Sequence, residues 1–157
     1  MSNNAADANP PAQIAIFTIG FAGKKAEEFF ETLKQSGVRR LVDIRLNNSS
    51  QLAGFTKRPD LEYFLRVIAG IDYGHEPDFA PTKEILDDYK KKRIDWGEYE
   101  NLYRRLIAER RPAEKLKPED FDRACLLCSE PTAEHCHRRL AAEYLRDAWK
   151  NVTITHL

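Results

Sequence analysis

Apolar residues along this chain fall into two alternating rhythms. Residues 14–19 form a short, continuous, β-branched run (Ile14, Ile16, Phe17, Ile19) that Gly20 ends, which predicts a strand buried on both faces. Over 24–35 the spacing changes. Ala26, Phe29, Phe30 and Leu33 recur at i, i+3, i+4 and i+7, predicting an amphipathic helix closed by Ser36 and Gly37. Residues 40–46 return to a strand pattern. Strand, helix and strand in about thirty residues make a βαβ unit, whose right-handed crossover gives a parallel pair.

The alternation continues. A polar loop over 47–59 precedes a predicted helix over 60–69, with Asp60 at its N-cap or in its first turn. Residues 71–75 read as a short strand before the turn marked by Pro77 and Pro81. Helices are predicted over 82–92 and 96–110, the second with an apolar stripe of Tyr99, Leu102, Tyr103, Leu106 and Ile107. A charged linker with Pro112 and Pro118 leads to a strand over 123–128, a helix over 136–149 and a final strand over 152–155. The expected fold class is α/β: one domain over 14–157, a mostly parallel sheet with helices on both faces in a Rossmann-like three-layer arrangement. Residues 1–13, rich in Asn, Ala, Asp and Pro, are expected to be a disordered leader.

Charge narrows the partners. The 157 residues carry 25 basic and 25 acidic side chains, so the net charge is zero and gives no support to nucleic-acid binding. Basic runs such as Lys90 to Arg93 read as solvated helix faces. No run approaches the ~18 apolar residues of a membrane-spanning helix, and the N-terminus lacks the basic start and apolar core of a secretory signal. Three cysteines without such a signal argue against a disulfide scaffold, and a cytoplasmic location is expected.

The chemistry concentrates near the end. Cys125, Cys128 and Cys136, with His135 and His137, lie within thirteen positions, where an apolar strand gives way to a loop and then a helix. On a strand, residues three apart face opposite sides, so Cys125 and Cys128 diverge and do not form a redox pair; Cys125 reads as a core residue. Cys136, expected in the first turn of the helix, would meet unpaired N–H groups that favour thiolate. Cys128, Cys136, His137 and Glu130 are the candidate catalytic residues. The other reading is structural: a buried cysteine with Arg138 tying down the loop. Cys128, His135, Cys136 and His137 match no usual zinc template, and adjacent Cys136 and His137 on a helix would project about a right angle apart, so no metal is assigned. A phosphatase loop is excluded, because the sixth residue after Cys128 is Glu134 and after Cys136 is Ala142, where an Arg is required.

In a parallel sheet the loops after the strands share one edge. That connectivity gathers Gly20 and Phe21, Asp43, Arg45 and Asn47, His75 and Glu76, and Cys128 to Glu130 at one crevice. Asp43, Arg45, His75 and Arg138 are the candidate binding residues, suited to a small anionic ligand. Lys57 and Arg58 read as surface residues, and Trp96 and Tyr99 as core anchors.

With these residues the chain resembles DUF488, a prokaryotic domain family of unknown function. The marks are Thr18-Ile19-Gly20, Leu41 to Arg45, Phe55-Thr56-Lys57, Gly70 to Tyr73, the helix bearing Trp96, Tyr99 and Tyr103, and above all Leu127 to Glu130 with Cys136-His137-Arg138. The resemblance implies an α/β domain with cysteines suspected of catalysis, and no established reaction, substrate or cofactor. Two departures stand out. Phe21-Ala22 replaces the His-Ser that members often carry after the first strand, and Asp78-Phe79-Ala80 replaces a common Leu-Gly-Gly.

Three functions stay open: a small enzyme with a thiol-centred site, a nucleic-acid-associated module using Lys57 and Arg58, and a metal-stabilised binding domain. Steep salt dependence would mark the second, because phosphate contacts release counterions.

Overall fold

The computed structural model describes residues 12–49 and 54–157; most of the expected leader, 1–11, lies outside them. Five strands, β1 (Ile14–Gly20), β2 (Arg40–Asp43), β3 (Asp72–His75), β4 (Ala124–Cys128) and β5 (Val152–His156), form one sheet in the order β3-β2-β4-β1-β5. Every pairing is parallel. Among the described residues the five α-helices are α1 (Ala26–Gln35), α2 (Arg58–Phe64), α3 (Lys83–Lys90), α4 (Trp96–Arg110) and α5 (His137–Trp149). This is the expected three-layer α/β architecture.

Alternation along the strands divides the core. Ile16, Val42, Ala124 and Leu126 pack with Tyr103, Ile107, Leu140 and Leu145 on the side of α4 and α5. Ile19, Leu41, Cys125 and Leu127 pack with Phe29, Phe30, Leu33 and Leu61 on the side of α1 and α2. Each such aliphatic or aromatic side chain, fully buried, contributes about 1.5–3 kcal/mol. Cys125, with no exposed surface, belongs to the second layer. Among the described residues, no helix is long and apolar enough to cross a membrane.

Three boundaries depart from the sequence pattern, each for a physical reason. The second strand stops at Asp43 rather than 46, because the Asp43 carboxylate accepts the Arg45 backbone N–H at 3.1 Å and turns the chain out of the sheet. Helix α2 starts at Arg58, with Pro59 suited to its first turn, and Asp60 sits in that turn; the chain continues as a π-turn, Leu65–Ala69, and ends at left-handed Gly70 (φ 64°). Cys136 is not inside α5. It is the N-cap, with extended backbone (φ −140°, ψ 139°), and the helix begins at His137.

Helix α1 leaves β1 on one face of the sheet and α5 leaves β4 on the other. The carboxyl ends of these neighbouring strands therefore flank a crevice, the usual ligand position in open α/β sheets.

Candidate functional site

A cavity of about 830 Å³ opens at that crevice. It is lined by the segments after β1 (Phe21 to Lys24), after β2 (Arg45 to Asn47) and after β4 (Cys128 to Glu130), together with Cys136, His137 and aromatic residues of α3 and α4. The loops expected to converge from β1, β2 and β4 do so.

Gly20 makes the convergence close. A Cβ there would run into the Glu130 carbonyl oxygen and crowd the Arg138 guanidinium, so no other residue fits without moving the loop. Just beyond, Ala22 N–H donates to the Ser129 carbonyl at 2.9 Å, locking the two strand ends together. Arg138, fully buried, holds the same loop from beneath: Nη1 donates to the Glu130 carbonyl and Nε to Thr18 Oγ1 at 3.2 Å. No carboxylate lies within ion-pair distance of it among the described residues.

The cysteine centre sits on this frame. Cys128 Sγ lies 3.3 Å from His137 Nδ1, and His137 Nε2 lies 2.8 Å from the Ile44 carbonyl oxygen. A carbonyl only accepts, so Nε2 carries the proton and Nδ1 is free to exchange one with the sulfur. Burial pushes the Cys128 thiol up. A hydrogen bond from the Cys136 thiol, the backbone N–H groups of Glu130 and Ser129, and the nearby Arg138 charge outweigh burial and hold it below its ordinary value. Cys136 goes the other way: burial, the hydrogen bond it donates and the charge on Cys128 push it well up, against the pull of His137. Of the two thiols, Cys128 ionises before Cys136. Burial also pushes the Cys125 thiol up.

The extended backbone at Cys136 swings its side chain back toward β4, so the right-angle offset expected from a helix does not apply. Sγ of Cys128, Sγ of Cys136 and a ring nitrogen of His137 all lie within 4.8 Å of one another, a set able to hold a soft divalent metal.

The second cluster forms where the chain leaves β2. Arg45 Nε and Nη2 grip Asp43 Oδ1 and Oδ2 at 2.9 and 2.8 Å, and Nη2 also donates to the Thr56 carbonyl at 2.7 Å. Tyr73 O–H donates to Asp43 Oδ2 at 2.7 Å; burial and the adjacent carboxylate push this phenol up. The guanidinium stands 5.5 Å over the ring of Phe21, the first residue after β1. Arg45 Nη1 is buried without a partner among the described residues, a state that costs about 1–3 kcal/mol.

Of the eight residues singled out from the sequence, Cys128, Cys136, His137, Glu130 and Arg45 line the cavity. Asp43 and Arg138 lie beneath it, and His75 Nε2 sits 3.4 Å from the Arg45 carbonyl oxygen, outside the lining. Lys57 precedes α2 as its N-cap, and Arg58 stands 5.9 Å over the Tyr73 ring.

Sequence reasoning missed the aromatic wall. Trp96 and Tyr99 are the core anchors they were read as, Tyr99 within the core and Trp96 packed against it, and they also line the cavity with Phe21, Phe55 and Tyr89. Stacked rings run from His135 to Trp96 (5.1 Å) to Tyr99 (5.0 Å) to Tyr103 (6.4 Å), and Tyr103 meets the His137 ring tilted at 58° (5.6 Å). The signal was the Trp96, Tyr99, Tyr103 spacing on one helix, which an ordinary core stripe shares.

Fold and site together define a three-layer α/β domain with a Cys–His pair at the carboxyl edge of its parallel sheet. The chain belongs to the family described as domain of unknown function DUF488, whose model matches residues 25–145. No curated protein and no solved structure matches it.

Proposed function

We propose that the protein is a small thiol enzyme with Cys128 as nucleophile. The observation that carries this is the Cys128–His137 contact, with the imidazole oriented by the Ile44 carbonyl. A nucleophile, a base within reach and a group fixing that base form the usual signature of activated thiols. In the reading proposed, Cys128 passes its thiol proton to His137 Nδ1, and its sulfur attacks an electrophilic carbon and expels a leaving group, which takes that proton from Nδ1. Water, deprotonated by the same nitrogen, then cleaves the enzyme–carbon bond and restores the thiol. Cys136 steadies the charged sulfur, and Glu130 stands at the cavity rim.

Iodoacetamide labelling across a pH series, read per cysteine by mass spectrometry on metal-free protein, tests this. Cys128 should label with an apparent ionisation clearly below the ~8.5 of a free thiol, while Cys125 and Cys136 lag. Ordinary behaviour at Cys128, or labelling only on unfolding, would remove the proposal.

The compact donor set of Cys128, Cys136 and His137 favours a second reading, a metal-stabilised domain. The Nε2–H bond from His137 to a backbone carbonyl is also the usual support of a metal-bound imidazole. Equimolar zinc retained by untagged protein, protecting both Cys128 and Cys136 from labelling, would replace the first reading with this one.

A further inference from the structure

We propose that the cavity takes a small planar aromatic compound bearing one oxyanion, a carboxylate or a phosphate on a flat ring, with Arg45 Nη1 as the donor reserved for the anion. This rests on reading the cavity as the active site, and it does not depend on the reactivity of Cys128.

The anion half comes from Arg45. Its side chain is only 3% exposed and lines the cavity. Two of its guanidinium nitrogens are committed, Nε to Asp43 and Nη2 to Asp43 and the Thr56 carbonyl. Nη1 has no partner among the described residues. Buried guanidinium N–H groups are ordinarily satisfied, and one left over beside a cavity is accounted for by a ligand oxygen. Asp43 fixes the plane of the guanidinium, so that donor is pre-organised. Surrounding charge agrees: with Arg45 balanced by Asp43, Lys24 and Lys90 still line the cavity against a single carboxylate, Glu130. The whole chain carries no net charge, so this excess belongs to the cavity and not to composition.

The ring half comes from the walls. Phe21, Phe55, Trp96 and Tyr99 supply flat apolar surface in a volume of about 830 Å³, within the range of small-molecule sites. The exposed His135 imidazole lies on Trp96 at 5.1 Å and 21°, so the indole already accepts a flat heteroaromatic ring at the cavity lip. A bare anion would leave these walls unused, and a neutral ring would leave Nη1 unpaired.

The chain holds two tryptophans, Trp96 and Trp149, so Trp149→Phe makes Trp96 the sole indole reporter. In this background, phenyl phosphate and benzoate are titrated against benzyl alcohol and inorganic phosphate, following Trp96 emission. At least one of the two aromatic anions should bind saturably, about tenfold or more tighter than both the neutral ring and the bare phosphate. The stronger of the two tells phosphate from carboxylate. Arg45→Lys should weaken that binding about tenfold, since lysine lacks the planar fork. If Arg45→Lys does not fold by circular dichroism, Lys24→Ala with Lys90→Ala takes its place and should weaken binding several-fold. Equal affinity for benzyl alcohol, no saturable signal with either aromatic anion, or unchanged binding in the folded arginine variant (or in the lysine pair where it stands in) would overturn the proposal. Saturable binding of an aromatic anion in a parent whose Cys128 labels as an ordinary thiol would sink the nucleophile and leave the ligand class standing.

Discussion

Two arginines are buried at the carboxyl edge of the same sheet, and their surroundings are opposite. Arg45 meets a carboxylate in a two-pronged ion pair with Asp43. Among the described residues Arg138 meets only neutral oxygens, the Glu130 carbonyl and the Thr18 hydroxyl, whose own O–H donates to His156 Nδ1 at 2.6 Å. At the end of β2 the charge is cancelled where it stands. At the end of β4 it is left over, and the nearby group that answers it is the Cys128 sulfur, whose ionised form Arg138 favours. A paired arginine organises a site; an unpaired one biases its chemistry.

Removing one partner from each cluster separates these roles. Asp43→Asn leaves the Arg45 charge buried and uncompensated, and should destabilise the fold by about 3–5 kcal/mol in urea melts. Arg138→Met removes a charge that had no carboxylate partner. Its expected stability loss is smaller, about 1–3 kcal/mol for the oxygens left unsatisfied, and the ionisation of Cys128 should move up. Equal losses with no change at the thiol would erase the contrast.

A second test uses pH. Cys128 is held below its ordinary value when folded, so between the two values the unfolded chain binds the extra proton. Stability should rise with pH through that window, and the contribution is lost as pH falls through the folded-state ionisation. Cys125 and Cys136, pushed up, act with the opposite sign: above the ordinary thiol range the unfolded chain ionises first and stability declines. The advantage of the parent over Cys128→Ser in urea melts should therefore grow toward pH ~8.5, by at most about 1.4 kcal/mol per pH unit. A flat difference would mean that Cys128 is not depressed.

The smallest expected effect concerns Cys136. Cys136→Ala removes a donor from Cys128 and should raise its labelling ionisation by about one unit or less, whereas Cys136→Ser keeps an O–H donor and should move it less. Identical shifts would assign Cys136 to packing alone.

The strands and their parallel pairing were legible because buried runs such as 14–19 and 124–128 carry one unbroken apolar signal. The gathering of loops after β1, β2 and β4 followed from connectivity. What stayed hidden turns on single backbone angles. Nothing in the spacing of Cys128 and Cys136 says that residue 136 is extended rather than helical, and that one difference brings the second sulfur to the first. The second role of Trp96 and Tyr99 was hidden for another reason: a ring that only packs in the core and one that also walls a cavity leave the same periodic mark. The spare nitrogen of Arg45 has no sequence signature at all.

The position of β1 bears on how the molecule is made. It lies between β4 and β5, pairing Ile16 with Ala124 and Ile14 with Val152. Both partners arrive more than a hundred residues after β1 leaves the ribosome, so an apolar strand waits through most of synthesis without its neighbours. Such non-local pairing is closed late and slowly. The waiting strand is the segment a chaperone would most need to shield, and truncation ahead of β4 would leave it permanently exposed.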